Sequence, residues 1–193
     1  MDLDIIFFIG PQGSGKGTQA KRLAASLGFF YWEMGGILRD VSHENSDMGR
    51  RAAELHDQGI LFPDDFLIEI VKMKLNLLPA DTGIIFDGIP RRLGQAEFLM
   101  DYLKQRGRKN FLTLYISLPR EESVNRLLLR AKAENRKDDT LEGIETRLKY
   151  YENDTTPVLD FLKTCTTFVE IDGKPPVEEV AKMIDTALNL QIS

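Results

Sequence analysis

The chain holds a single cysteine, Cys165, in 193 residues. An intramolecular disulfide and a cysteine-rich zinc site are thereby excluded. Histidine is almost as scarce. His43 and His56 are the only two, both in polar, helix-like stretches without partner ligands, so they read as surface residues rather than metal ligands. No apolar run reaches the ~18 residues that a membrane-spanning helix needs. The N-terminus enters a strand-like segment directly, without a basic region or a small-residue cleavage site, so no secretion signal is expected and the cytoplasm is the default location. Positive charge is not in excess either. A net charge of −5 argues against a broad nucleic-acid-binding face, and any anionic substrate must be met by locally clustered arginines. No internal repeat, long linker or low-complexity tract is present. What remains is 42% hydrophobic and 28% charged, ordinary for one soluble domain with small mobile inserts.

Against that plain background one stretch stands out: Gly10-Pro11-Gln12-Gly13-Ser14-Gly15-Lys16-Gly17-Thr18. It follows the apolar segment Ile5-Ile6-Phe7-Phe8-Ile9 and opens a helical pattern. A glycine-rich turn between strand and helix lets backbone N–H groups wrap an anion; the helix N-terminus adds partial positive charge and Lys16 a full one. The context and spacing point to a nucleoside triphosphate. The position after the lysine, commonly a serine or threonine that meets magnesium, is Gly17, with Thr18 one residue later.

Short apolar runs alternate with helical patterns along the rest of the chain. Strands are expected at 5–9, 29–32, 83–86, 111–116 and 167–171. Helices are expected at 16–27, 36–42, 47–57, 64–77, 93–106, 120–133, 141–163 and 177–189. This alternation predicts an α/β fold, a five-stranded parallel sheet covered by helices on both faces, with phosphate ligands at the carboxyl ends of the strands. Gly28 suits a left-handed cap after the first helix. Pro63-Asp64-Asp65 suits a helix start with a capping acid, and Pro175-Pro176 precede the last helix. Segment 131–140 lacks apolar periodicity beyond two alanines and reads as a short exposed loop.

Asp87 ends the apolar run Ile84-Ile85-Phe86. A strand-end cap would account for it, but beside a triphosphate loop an acid there can hold the water shell of magnesium. Arg39, Arg91, Arg126, Arg130, Arg136 and Arg147 lie on separate elements. Arg126 and Arg130 share a helix face, and Arg147 sits among glutamates, so local ion pairs account for them equally well. Phosphoryl transfer between two polyphosphates nonetheless requires such groups: guanidinium stays ionised and grips phosphate oxygens in a bidentate fork. No general base stands out near the loop, as suits a reaction governed by positioning and charge.

The loop, continued by Gln19-Ala20 and including its Lys-Gly-Thr ending, resembles that of adenylate kinases. So, in order, do Met34-Gly35-Gly36-Ile37-Leu38-Arg39, Gly59-Ile60-Leu61-Phe62-Pro63-Asp64, and Phe86-Asp87-Gly88-Ile89-Pro90-Arg91 followed by Gln95. The pair Arg126 and Arg130, and Arg136-Lys137-Asp138-Asp139 with Arg147, complete the resemblance. It implies a P-loop kinase in which ATP and AMP give two ADP with Mg²⁺ brought by ATP. It implies a core (1–32, 63–130, 140–193), an acceptor-binding helical insert (33–62) and a short lid (131–139) in one domain, 1–193. The five residues between Arg130 and Arg136 contain no Cys or His, so no structural zinc is expected.

The resemblance assigns roles residue by residue. Gly13, Ser14, Gly15, Lys16, Gly17 and Thr18 would cradle the donor phosphates, with Arg126 and Lys174 near the donor adenine. Arg130, Arg136 and Arg147 would surround the transferred phosphoryl. Met34, Gly35, Arg39, Leu61, Gly88, Arg91 and Gln95 would hold the acceptor, Arg39 and Arg91 at its phosphate and Gln95 at its base. Lys16, Arg91, Arg130, Arg136 and Arg147 form the catalytic set, and Asp87 the magnesium contact through water. The insert and the lid would close over the substrates to exclude water.

Three positions depart from the family's pattern. Met34 stands where Thr or Ser is usual and offers a base an apolar contact in place of a hydroxyl. Gly36 replaces an Asp that supports the magnesium shell, leaving Asp87 as the main acid there. Arg92 replaces a Thr and either adds charge near the acceptor phosphate or points to solvent. These changes leave three alternatives: a broadened or non-AMP acceptor (CMP, UMP or GMP), a non-catalytic nucleotide sensor, and a uridylate–cytidylate kinase. The arginine set argues against the sensor, and Gln95, where the last relative tends to carry Asn, argues against the third. Without an Asn-Lys-x-Asp motif a GTPase is remote. A monomer working on nucleotides, without nucleic acid or membrane, is the expectation.

Overall fold

The structure, a computed structural model, describes residues 3–57, 62–134 and 140–192. Five parallel strands, β1 (Ile5–Ile9), β2 (Phe30–Glu33), β3 (Ile84–Asp87), β4 (Phe111–Ser117) and β5 (Thr167–Asp172), form one sheet in the order β2-β3-β1-β4-β5. Every residue of β1 is buried, as a strand covered on both faces requires. Side chains alternate across it. Ile5, Phe7 and Ile9 enter the core layer that also holds Trp32, Phe86, Phe66 and Leu99. Ile6 and Phe8 enter the opposite layer, with Leu23, Ile184 and Leu188.

Helices α1 (Lys16–Leu27) and α9 (Val177–Ile192) cover the second layer. Helices α2 (Met34–Ser42), α3 (Asp47–Asp57), α4 (Asp64–Leu77) and α5 (Leu93–Gln105) cover the first, joined by α8 (Thr156–Cys165). Between α6 (Arg120–Glu134) and α7 (Leu141–Tyr150) a small separate cluster of Leu127, Ile144 and Leu148 is buried. None of the described helices is long and apolar enough to cross a membrane.

The expected strands and helices all appear, with three corrections. The helix expected over 141–163 is interrupted: a π-helical turn, Tyr151–Thr155, separates α7 from α8. Pro157 lies in the first turn of α8. A proline has no N–H and crowds the carbonyl four residues back, so a straight α-helix through it is disfavoured, and the wider turn relieves both problems. Next, α6 runs to Glu134, one residue past the expected 133, so that 131–134 of the segment also read as a loop are helical. Ala-Lys-Ala-Glu is strongly helix-forming even without an apolar stripe. Finally, Asp64 does not cap α4. No side-chain cap is made at Pro63, and the Asp64 carboxylate is engaged by Arg92 and Gln95. Gly28 does take the left-handed cap, φ 68°.

Phe86 lies fully buried between Phe7, at 5.4 Å between ring centroids, and Trp32, at 5.3 Å. Truncating such a ring removes transfer free energy and leaves a cavity. Phe86→Ala is expected to lower stability by about 3–5 kcal/mol in urea unfolding. A loss below about 1 kcal/mol would mean that this layer collapses freely around the gap.

Candidate active site

The triphosphate loop sits where β1 ends and α1 begins. Gly13 and Gly15 adopt φ 84° and 83°, a region that side-chain-bearing residues rarely enter. At Gly13 a Cβ would also stand 3.1 Å from the Ser123 carbonyl oxygen, so α6 packs hard against the loop. Ser14 N–H donates to the Pro11 carbonyl (3.3 Å), and Lys16 Nζ reaches back to the same oxygen (3.4 Å). Four buried side-chain oxygens have no hydrogen-bond partner among the described residues: Gln12 Oε1 and Ser14 Oγ in the loop, Ser123 Oγ on α6 and Tyr151 Oη in the π-turn. Native interiors rarely leave such atoms unpaired.

Lys16 is partly buried and borders a small pocket in the cleft. Burial pushes its pKa below the usual lysine value; the Asp87 charge opposes that shift, and Arg91 and Arg130 add to it. Arg91 lies on the exposed cleft wall, its Nε donating to the Gly88 carbonyl at 2.9 Å. Burial of its guanidinium lowers its pKa too, Asp87 raises it and Arg147 lowers it, yet a guanidinium stays charged throughout the neutral range. These mutual influences place Lys16, Arg91, Arg130 and Arg147 in one field.

Asp87 is 8% exposed and lies beside Phe8 in the sheet register. Its Oδ2 accepts a hydrogen bond from Tyr31 Oη at 2.9 Å. Burial first, then the Asp87 charge and this bond, raise the Tyr31 pKa well above the ordinary value, so the hydroxyl remains a donor. A Cβ on Gly17 would stand 3.1 Å from Asp87 Oδ2 and 3.7 Å from the Tyr31 hydroxyl. The glycine after Lys16 thus makes room for the tyrosine–aspartate pair.

On the other side of Gly88 opens a cavity of about 220 Å³, lined among others by Gln12, Met34, Leu38, Arg91, Gln95 and Arg147. Triphosphate loop and cavity meet at Gln12, Gly88 and Arg91, which also border the smaller pocket at Lys16. The molecule therefore offers two adjoining sites with positive charge at their junction.

With that geometry in place the comparisons are decisive. A family model for adenylate kinase matches residues 8–167. An adenylate kinase of Thermus thermophilus is 37% identical over 185 residues, 96% of this chain and 97% of its own length. One from Maricaulis maris is 38% identical over 186 residues, 96% and 98% of the two chains. One from a Cyanothece strain is 37% identical over 179 residues, 93% and 92%. The chain belongs to the adenylate kinase family.

Of the residues singled out in the sequence, Lys16, Met34, Gly35, Gly88, Arg91, Gln95 and Arg147 line the two adjoining pockets, and several others are engaged elsewhere. Arg126 donates to Glu122 (2.7 Å) and to the carbonyls of Gly173 (2.9 Å) and Lys174 (2.8 Å), tying α6 to the loop after β5. Gly173 itself packs against the triphosphate loop, 3.3 Å from the Ser14 carbonyl oxygen to a Cβ built there. Arg147 Nε donates to the Gly143 carbonyl at 3.2 Å. Met34 is buried, and its Sδ accepts the Trp32 indole N–H at 3.5 Å. Thr18 is exposed. Leu61 and Arg136 lie outside the described residues, as do 59–60 and 137–139 of the two family-like segments.

The sequence reading missed four contributors: Tyr31, Glu33, Asp64 and Asp154. Glu33 bears on the departure at Gly36. Its carboxylate pairs with Arg39 (3.1 Å), and a Cβ on Gly36 would stand 3.3 Å from Glu33 Oε2. A carboxylate therefore occupies the space over residue 36 although residue 36 has none. Sheet register sets Glu33 beside Asp87, a proximity visible in the sequence only once the strand pairing is known.

Folding lowers the Lys16 pKa, so the charged form opposes folding of the empty protein. That penalty is complete below the folded-state pKa and fades as pH rises toward the ordinary value of 10.5. Lys16→Met is expected to raise the urea midpoint of the nucleotide-free protein at neutral pH while abolishing phosphoryl transfer. A midpoint that falls would show that this buried charge is not a burden on the empty fold.

Proposed function

We propose that the two adjoining sites hold ATP and AMP end to end and that the chain interconverts them with two ADP. In this reading an oxygen of the AMP phosphate attacks the γ-phosphorus of ATP. The bond from that phosphorus to the β–γ bridging oxygen breaks, and the departing ADP keeps the electron pair. The AMP phosphate is already ionised and needs no base, which fits a cleft rich in cations. The observation that carries the reading is this junction: Arg91 faces both the triphosphate side, through Lys16, and the acceptor cavity, through Arg147.

The family resemblance supports the following roles. Lys16 and the N–H groups of 13–18 hold the β- and γ-phosphates. Arg91 and Arg39 hold the acceptor phosphate, with Arg130, Arg136 and Arg147 around the moving phosphoryl, where fixed positive charge lowers the barrier. Gln95 meets the acceptor base beside Met34, Gly35, Gly88 and Leu61; Arg126 and Lys174 border the donor base. Segments 33–62 and 131–139 close on the bound pair and exclude water. Both substrate sites lie on one chain, so a monomer suffices, working in the cytoplasm on nucleotides alone. A net charge of −5 supports the absence of nucleic acid from that set.

The donor set fits hydrated magnesium. Asp87 supplies one carboxylate, half of it held by Tyr31, and Gly17 supplies no hydroxyl. Asp87 at its strand end, with Glu33 beside it in register but paired to Arg39, suits an ion that keeps most of its waters and arrives with the nucleotide. When bound, magnesium offsets charge on the β- and γ-phosphate oxygens.

A coupled assay with ATP and each of AMP, CMP, UMP and GMP tests the acceptor. AMP is expected to give the highest kcat/KM, and Arg91→Ala to lower it by at least ~100-fold, as loss of a charge-stabilising donor does. A faster rate with another monophosphate would overturn AMP as the acceptor while leaving the kinase reading in place. Background-level turnover with all four would favour a sensor.

A further inference from the structure

Gln95 is 4% exposed and lines the acceptor cavity. Its amide is held at both ends. Oε1 accepts the Arg91 backbone N–H at 2.8 Å, and Nε2 donates to Asp64 Oδ1 at 2.7 Å. A backbone N–H only donates and a carboxylate only accepts, so one orientation of this amide satisfies both partners. Turning it over would set NH₂ against N–H and oxygen against carboxylate.

The partners are themselves braced. Asp64 Oδ1 also receives Arg92 at 3.0 Å, and Arg92 Nε lies 3.6 Å from Asp154 Oδ2. The Arg91 carbonyl accepts from Thr155 Oγ1 at 3.0 Å. Residues from the start of α4, the start of α5 and the π-turn thus converge on one side chain. The charge on Arg92 that the sequence left without a role is directed at Asp64 and Asp154.

We propose that Asp64 and Arg92 are positioning residues that fix the order of hydrogen-bonding groups Gln95 offers to the acceptor base. With two of its sites used, the amide keeps one N–H and one oxygen lone pair for the cavity, in an order it cannot reverse. A 6-aminopurine presents a ring-nitrogen acceptor beside an exocyclic donor and can match both groups. A 6-oxopurine presents the opposite pair along the same edge and would need the amide inverted. The clamp therefore selects an adenine-type monophosphate over a guanine-type one. The proposal rests on the reading of Gln95 as the acceptor-base contact.

The test compares kcat and KM for AMP and GMP, with ATP as donor, in the wild-type protein and in Asp64→Ala, Asp64→Asn, Arg92→Met and Gln95→Ala. Asp64→Ala frees one end of the amide and is expected to shrink the AMP-over-GMP preference by roughly tenfold to a hundredfold, the range of one bidentate base contact. The loss should come through a higher KM for AMP, with KM for ATP unchanged. Asp64→Asn keeps an acceptor for Nε2 and should keep most of the preference; Arg92→Met should fall between the two. If Gln95→Ala collapses the preference but Asp64→Ala leaves it intact, the clamp is wrong and the base contact stands. If Gln95→Ala leaves the preference intact, the base contact fails and the clamp with it. Equal loss of kcat with both acceptors, or no rescue by Asp64→Asn, would show a merely structural role and overturn the proposal.

Discussion

Lys16 carries its charge into a partly buried place where burial strips some of its solvation, and it does so beside Arg91 and Arg130. Both circumstances are unfavourable to a cation: solvation is lost and like charges meet. Among the described residues Asp87 and the Pro11 carbonyl offset them in the empty protein, and the Asp87 carboxylate is shared with the Tyr31 hydroxyl. The remaining imbalance is what a polyphosphate relieves. A cleft arranged this way is poorly satisfied when empty and is suited to receive phosphate, and the unpaired Gln12 and Ser14 oxygens mark the same incompleteness.

The fold exists to hold that arrangement still. A continuous apolar β1, with Phe7 and Phe8 anchored in opposite core layers, fixes the strand end from which the triphosphate loop departs. Pairing with β3 sets Asp87 beside Phe8, and pairing of β3 with β2 sets Glu33 beside Asp87. Close packing at Gly13 and Gly173 joins the loop to α6 and to the turn after β5. Rigid donors that need no rearrangement at the moment of reaction are the most effective electrostatic catalysts. The larger cavity, which Gln95 lines, is built from α2, α4, α5 and the π-turn, elements of different parts of the chain.

Much of this was legible in the sequence because its causes are local. The apolar run at 5–9, the glycines at 13 and 15, and Asp87 after Ile84-Ile85-Phe86 each report their own backbone environment. The π-turn was not legible: the apolar pattern runs through 141–163 without a break, and the steric effect of Pro157 on the preceding turn leaves no mark on periodicity. Asp64 was misread for a related reason. An acid after a proline at a helix start suits capping, but Arg92 and Gln95, which claim it, are 28 and 31 positions away. Gly36 looked like the loss of a carboxylate; only the fold shows the Glu33 carboxylate standing over it.

Burial and like charge lower the Lys16 pKa in the empty cleft, and a bound polyphosphate is expected to raise it again. The direct test is calorimetric titration with a dinucleotide of two adenosines joined by a polyphosphate, in buffers of different ionisation enthalpy, at alkaline pH values approaching 10.5. One molecule should bind per chain with net proton uptake, and Lys16→Met should abolish the uptake. Binding by the wild-type protein without proton uptake across that range, or uptake that survives Lys16→Met, would contradict it.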